Sequence, residues 1–119
     1  MSEGDLESLL DDASGHLAVG ELDEAFACYD QCTRLSPNHF EAWHAKGMTL
    51  MKLGRFDEAI EAGLKTVDLN PNEQLAWSSL SLFYVRAGKI QEAESAGAKA
   101  RILSWGGKIR KDTPPQDAP

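Results

Sequence analysis

Large apolar residues between positions 40 and 69 fall at Phe40, Trp43, Met48, Leu50, Met51 and Leu53, then at Phe56, Ile60, Leu64, Val67 and Leu69. Small Ala and Gly residues lie between them, and no proline interrupts either run. Spacings of three and four suit helices better than strands. Gly54 separates the two runs and supplies the left-handed turn that ends a helix. Asp57 and Glu58 follow as acidic first-turn residues of a second helix. Asn70-Pro71-Asn72 stops that helix, because the residue before a proline avoids helical geometry. The segment therefore reads helix, tight turn, helix.

The same pattern occurs three times. Segments 6–39, 40–73 and 74–107 are each 34 residues long. Gly20, Gly54 and Gly88 coincide when the segments are superposed, as do Glu24, Glu58 and Glu92, and Ala25, Ala59 and Ala93. Trp43 and Trp77 coincide, with Leu9 in their place in the first segment. Ser36-Pro37-Asn38 and Asn70-Pro71-Asn72 close the first two segments. Repeats of 20 to 50 residues mark stacked architectures, since one two-helix unit cannot bury its apolar face alone. Six helices are expected near 6–19, 22–35, 40–53, 56–69, 74–87 and 90–103. Residues 1–5 remain as an N-terminal cap or tail, and the Pro-rich stretch 108–119 reads as a disordered tail.

The second segment, with Ala42-Trp43, Gly47, Leu50, Gly54-Arg55-Phe56-Asp57-Glu58-Ala59-Ile60 and Leu69-Asn70-Pro71-Asn72, resembles the tetratricopeptide repeat. The likeness covers residues 6–107. It implies an all-α solenoid of three helix-turn-helix hairpins in a right-handed superhelical stack. It also implies a concave face built from the first helix of each hairpin.

Three departures from the repeat pattern stand out. Tyr29 fills the large aromatic place in the middle of the second helix, but Gly63 and Gly97 occupy it in the other two repeats. Either Trp43, Trp77 or closer helices fill the gaps, or the gaps receive a partner's side chain. Lys46 stands where the family prefers a buried leucine. It either snorkels to water along its stem or pairs with Glu41, Glu73 or an N-terminal carboxylate. Gly106-Gly107 ends the last helix with no further solvating helix in view. Trp105 folds back over the last hairpin, or a second copy of the chain covers it.

By repeat spacing, the groove residues are Leu10, Ser14 and Leu17 from the first hairpin, and His44, Met48, Met51 and Lys52 from the second. The third adds Ser78, Leu82, Val85 and Arg86. Met48, Met51, Leu82 and Val85 make an adaptable apolar centre that suits a short amphipathic or extended segment. Alternatively, several of these side chains pack on one another. The positions that match the family's carboxylate clamp are Leu10, Ser14, Ala45, Leu75 and Ser79, and none is a cation or an asparagine. A chaperone-tail carboxylate is therefore a poor fit.

Composition narrows the class. The chain has 119 residues, 42% hydrophobic and 26% charged, which is globular usage. A net charge of −7 argues against nucleic acid as a partner. No apolar run is long enough for a membrane span, and the acidic start is no secretory signal. The charge is uneven: residues 1–39 hold nine acids and one base, whereas residues 74–119 hold four acids and seven bases. Such a field steers encounters and could favour self-association.

Cys28 and Cys32 lie four apart on one helix, which opens a soft-metal or thiol reading. No histidine shares ligand spacing with them, so two core thiols in a reducing compartment is the simpler account. No nucleophile, base and orienting group fall together, and no phosphate-binding loop is present. The expected protein is a cytoplasmic, non-enzymatic module without cofactor or metal that binds a protein or peptide partner. A homodimer formed through the uncovered last hairpin is the alternative.

Overall fold

A computed structural model describes residues 3–109. Six helices follow one another: α1 (Glu3–Ala18), α2 (Leu22–Leu35), α3 (Phe40–Lys52), α4 (Phe56–Leu69), α5 (Gln74–Arg86) and α6 (Ile90–Ser104). The molecule measures 48 × 30 × 21 Å, as an elongated stack should. Helix α1 starts three residues ahead of the expected position, so residues 3–5 are helix and not tail. Asp5 in its first turn suits the positive end of the helix dipole.

Helices pair as α1–α2, α3–α4 and α5–α6, and successive pairs stack through α2–α3 and α4–α5. Each hairpin turn is made by a glycine with positive φ: Gly20 at 82°, Gly54 at 79° and Gly88 at 79°. At Gly54 the turn carries two reciprocal bonds, Gly54 N–H to Met51 O at 3.0 Å and Arg55 N–H to Leu50 O at 2.9 Å. This double bond satisfies carbonyls that the helix end would leave orphaned. At the other end of each hairpin a tryptophan fastens the proline turn. Trp43 Nε1 donates to Pro37 O and Trp77 Nε1 to Pro71 O, both at 2.7 Å. Leu9, in the equivalent place of the first repeat, has no such donor.

The core divides in two. A main cluster spans the second and third repeats, around Leu50, Ile60, Leu80 and Phe83. A smaller one belongs to the first hairpin, around Ala13, Ala25 and Tyr29. Gly63 is the key to the main cluster. A methyl group added there would meet Leu80 Cδ1 and Phe83 Cδ2 at 3.0 Å each, and one added at Gly47 would meet Phe83 Cε2 at 3.0 Å. The gap at Gly63 is thus filled by Phe83 and Leu80 of α5, rather than by Trp43 or Trp77. Close approach of the helices is the reason for the glycines.

Gly97 occupies the same repeat position, and among the described residues no further helix packs against it. A methyl group there would meet only Ser81 Oγ at 3.5 Å and Arg101 Nη1 at 3.9 Å, which is ordinary contact. The two sites therefore answer one substitution in opposite ways. Gly97→Ala should stabilise the fold by about 1 kcal/mol through helix propensity. Gly63→Ala should lose that gain to overpacking, with a net cost of about 1 kcal/mol or more. Urea midpoints of the two variants check this, and equal shifts of the same sign would contradict the packing described.

Lys46 pairs with a carboxylate of the N-terminal repeat, a residue that the sequence alone does not single out. Its ammonium lies 2.9 Å from Asp30 Oδ1, not on Glu41 or Glu73, and its side chain is 15% exposed. Arg34 takes the other carboxylate oxygen of Asp30 at 2.8 Å. The Lys46 ammonium also stands 4.8 Å from the centre of the Trp43 ring, within cation–π range. Asp30 belongs to α2 and Lys46 to α3, so this pair ties the first repeat to the second.

Beyond α6 the chain turns at Gly106 (φ 86°) and runs back toward the α4–α5 turn. There the backbone N–H of Ile109 donates to Asn72 Oδ1 at 2.7 Å. Trp105 does not fold over the last hairpin, because it is 79% exposed. The expected disordered tail lies outside the described residues apart from Lys108 and Ile109.

Candidate functional site: the face of the first helices

Helices α1, α3 and α5 are the first helices of the three hairpins. Helices α3 and α5 touch directly, whereas α2 and α4 do not approach to the same extent. At the second junction the first helices thus approach directly, and at the first junction Ala45 of α3 reaches the cluster of α1 and α2. On α1, Leu10 and Leu17 are half-buried against Ala13, Ala25 and Tyr29, joined there by Ala45 of α3. Ser14 is exposed, with its hydroxyl 3.4 Å from the Tyr29 hydroxyl. The first repeat thus contributes a surface that is partly core.

On α3, Met48 and Met51 are half-buried against the main cluster, and Lys52 is exposed. On α5, Leu82 is 36% and Val85 49% exposed, and Arg86 is exposed at the helix end. Leu82 and Val85 take the repeat positions of Met48 and Met51. The apolar row therefore continues from one helix to the next and grows more exposed along the stack. Ser78 is exposed and lines a cleft at the outer end of α5 and α6, with Gln74, Ser81 and Gly97.

His44 sits at the centre of this face. Its Nε2 shares a hydrogen bond of 2.8 Å with Ser79 Oγ across the α3–α5 contact. Its ring stacks on Phe40, with centroids 6.3 Å apart and planes 11° apart. Burial pushes its pKa below the ordinary value, and the field of Glu73 offsets this only in part. The imidazole is thus neutral near pH 7. Ser79 is the site residue whose partnership the sequence reading missed, and the signal was repeat arithmetic. His44 plus one repeat is 78, which points to this stretch of α5 but does not by itself single out Ser79 as the facing residue.

A serine and a histidine at this distance invite a hydrolase reading, which the surroundings oppose. Ser79 is buried in the middle of α5, where its own and the neighbouring backbone amides serve the helix. Amides so engaged cannot serve as an oxyanion hole. The pair is better described as a clamp between repeats.

Cys28 is half-buried and Cys32 buried, and both are free thiols. Burial raises both pKa values first, with Asp12 adding to the effect at Cys28 and Cys28 adding to it at Cys32. Thiols held protonated are poor nucleophiles and poor metal ligands. Among the described residues no group of three or more His, Cys, Asp or Glu side chains could hold a metal ion. Nor is any of the described helices long and apolar enough to cross a membrane.

Three stacked helical hairpins with their first helices along one face define a helical-repeat module. The chain belongs to the tetratricopeptide repeat family, whose model matches residues 10–74 and again 44–108. Among solved structures it is similar to MamA AMB-1, at 26% identity and a TM-score of 0.80, over 86% of this chain and 60% of that one. The chain thus spans less than two thirds of that MamA. It shares its fold with SycD of Yersinia enterocolitica, a type III secretion translocator chaperone solved as an alternative dimer. That match has 20% identity and a TM-score of 0.80, over 87% of this chain and 77% of that one. It also shares its fold with a chain of the CopN–Scc3 complex, at 17% identity and a TM-score of 0.83, over 87% and 61% of the two chains. No curated protein sequence matches the chain significantly.

Proposed function

We propose that this chain is a non-enzymatic adaptor that holds an extended or helical segment of a partner protein along the face of α1, α3 and α5. The observation that carries this reading is the apolar row Met48, Met51, Leu82 and Val85, which continues across two touching helices and stays open to solvent on α5. Isolated exposed apolar side chains need no explanation, but a contiguous row does. Met side chains adapt to several shapes, and Leu and Val give firmer anchors. Lys52 and Arg86 end α3 and α5, where they would orient acidic residues of the bound segment. Leu10, Ser14, Leu17 and His44 extend the contact toward the first repeat. Two protonated thiols suit a reducing compartment such as the cytoplasm.

The test is a peptide-display selection against the whole chain, followed by affinity measurement on the double variant Leu82→Glu, Val85→Glu. Both side chains are open enough for the change to leave the fold intact, which circular dichroism verifies. Selected peptides should lose at least tenfold in affinity, as expected for loss of anchor residues. Unchanged affinity in the folded variant would remove the row from the binding site.

A further inference from the structure

Ser79 and His44 meet across the α3–α5 contact, and only one placement of their protons leaves no buried donor unused. Ser79 is 7% exposed, and its hydroxyl oxygen lies 2.8 Å from His44 Nε2. Among the described residues that nitrogen is the hydroxyl's sole partner. Thr49 and Thr66, by contrast, donate their hydroxyls back to the carbonyls of Ala45 and Ala62. Ser79 makes no such bond within its own helix, so its proton goes to His44 Nε2. The reverse arrangement, with Nε2–H donating, would leave a buried hydroxyl proton without an acceptor.

A neutral imidazole carries one proton. With Nε2 accepting, that proton sits on Nδ1. Nδ1 has no partner among the described residues, and no buried side-chain nitrogen or oxygen among them lacks one, so Nδ1 opens to solvent. His44, Met48 and Met51 lie at i, i+4 and i+7 of α3 and share one face. The open N–H therefore stands one turn from the apolar row, and Phe40 stacked on the ring limits its rotation. His44 belongs to the middle repeat, with a described repeat on either side.

We propose that His44 Nδ1–H is a specificity-determining donor of the first-helix face, and that it takes a main-chain carbonyl of an extended partner segment. The inference rests on that face being the binding surface, and it decides between the two forms of segment, extended and helical, that such a surface admits. A helical segment has spent its interior carbonyls on its own N–H groups. An extended segment keeps them free and sends alternate side chains to opposite faces. It can give a carbonyl to His44 while setting every second side chain on Met48, Met51 and Leu82. A segment that covered the imidazole without offering an acceptor would strip water from the N–H and leave it unpaired, which is costly. Ser79 touches no partner in this scheme. It is a positioning residue that holds the tautomer.

The first test uses the chain alone. Long-range proton–nitrogen correlation spectra distinguish the two ring nitrogens of His44. Protonation at Nδ1 is expected at neutral pH, and Ser79→Ala should move the proton toward Nε2. Protonation at Nε2 in the parent chain, or a tautomer unmoved by Ser79→Ala, overturns the proposal. The second test uses the tightest peptide from the display selection described above. His44→Phe should weaken it by about threefold to tenfold, the loss of one neutral hydrogen bond. His44→Asn, whose side-chain amide restores a donor near the Nδ1 position, should recover most of that loss. Circular dichroism verifies that both variants fold. Esters that replace the peptide's amides one at a time weaken each carbonyl as an acceptor. One ester should cost affinity for the parent chain and not for His44→Phe, a coupling that marks the carbonyl held by His44. Coupling at no position, or equal affinity for the parent and His44→Phe chains, overturns the proposal. The face itself still stands as the binding site in that case if Leu82→Glu, Val85→Glu abolishes binding. A peptide indifferent to that double variant, or a selection that returns no peptide, removes the face and this inference with it.

Discussion

Phe83→Ala should lower stability by about 3–5 kcal/mol, the range for truncating a fully buried aromatic side chain. Phe83 is only 1% exposed and fills the slot over Gly47 and Gly63. The backbone positions beneath the ring are already glycine and alanine, so they offer no side chain to fill the space it leaves. The effect should also be local in a telling way. Repeats contact only their neighbours, so stability is close to a sum of units and junctions. Loss of the α4–α5 junction should free α5 and α6 first while α1 and α2 keep their protection. Urea unfolding measures the total, and amide hydrogen exchange resolves the helices. A cost below about 1 kcal/mol, or uniform loss of protection, would contradict this account of the α4–α5 junction.

The second large effect concerns Asp30 and Lys46. Asp30→Ala leaves an ammonium that is 15% exposed, with aromatic rings beside it and only the more distant field of Glu58 in place of its salt-bridge partner. Breaking a buried pair from one side costs about 3–5 kcal/mol, and the partial exposure of this pair brings the expectation to about 2 kcal/mol. Lys46→Leu should behave differently and stay within about 1 kcal/mol of the starting protein. It removes the charge and leaves Asp30 with Arg34 at 2.8 Å. Leucine is also the residue found at the equivalent position, Leu80. Thermal melts of the two variants decide the matter, and equal costs would mean that the pair is a surface interaction.

The 34-residue period made the fold legible, because glycine, alanine and proline recur at fixed intervals for backbone reasons. Five helix starts, from α2 to α6, fall where the spacing puts them, and the start of α1 is the exception. Its early residues have no earlier repeat to be superposed on. The candidate site was legible only in part. The sequence showed a gap at Gly63 and a misplaced charge at Lys46, since both break a pattern. It did not show what answers them. Phe83 lies 20 residues after Gly63 and Asp30 lies 16 before Lys46, so each partner comes from the neighbouring repeat. The period says which positions are equivalent. It does not say which position of one repeat faces which position of the next. The pairing of His44 with Ser79 was missed for the same reason.

The two junctions inside the chain place their bulk on opposite sides. At the first, Tyr29 supplies it from α2, and the residues of α3 that correspond to Leu80 and Phe83 are Lys46 and Thr49. At the second, Phe83 and Leu80 supply it from α5, and α4 offers Gly63. A tandem duplication of segment 40–73 would set Lys46 and Thr49 against Gly63, leaving a void. Lys46 would then face Leu64, which stands where Asp30 does. Deletion of the same segment would drive Phe83 into Tyr29. The three units therefore carry private addresses, and recombination that shuffles, adds or removes one of them is penalised at the seam. Among proteins assembled from near-identical parts, this chain is one in which the order of its three described units is written into the joints between them.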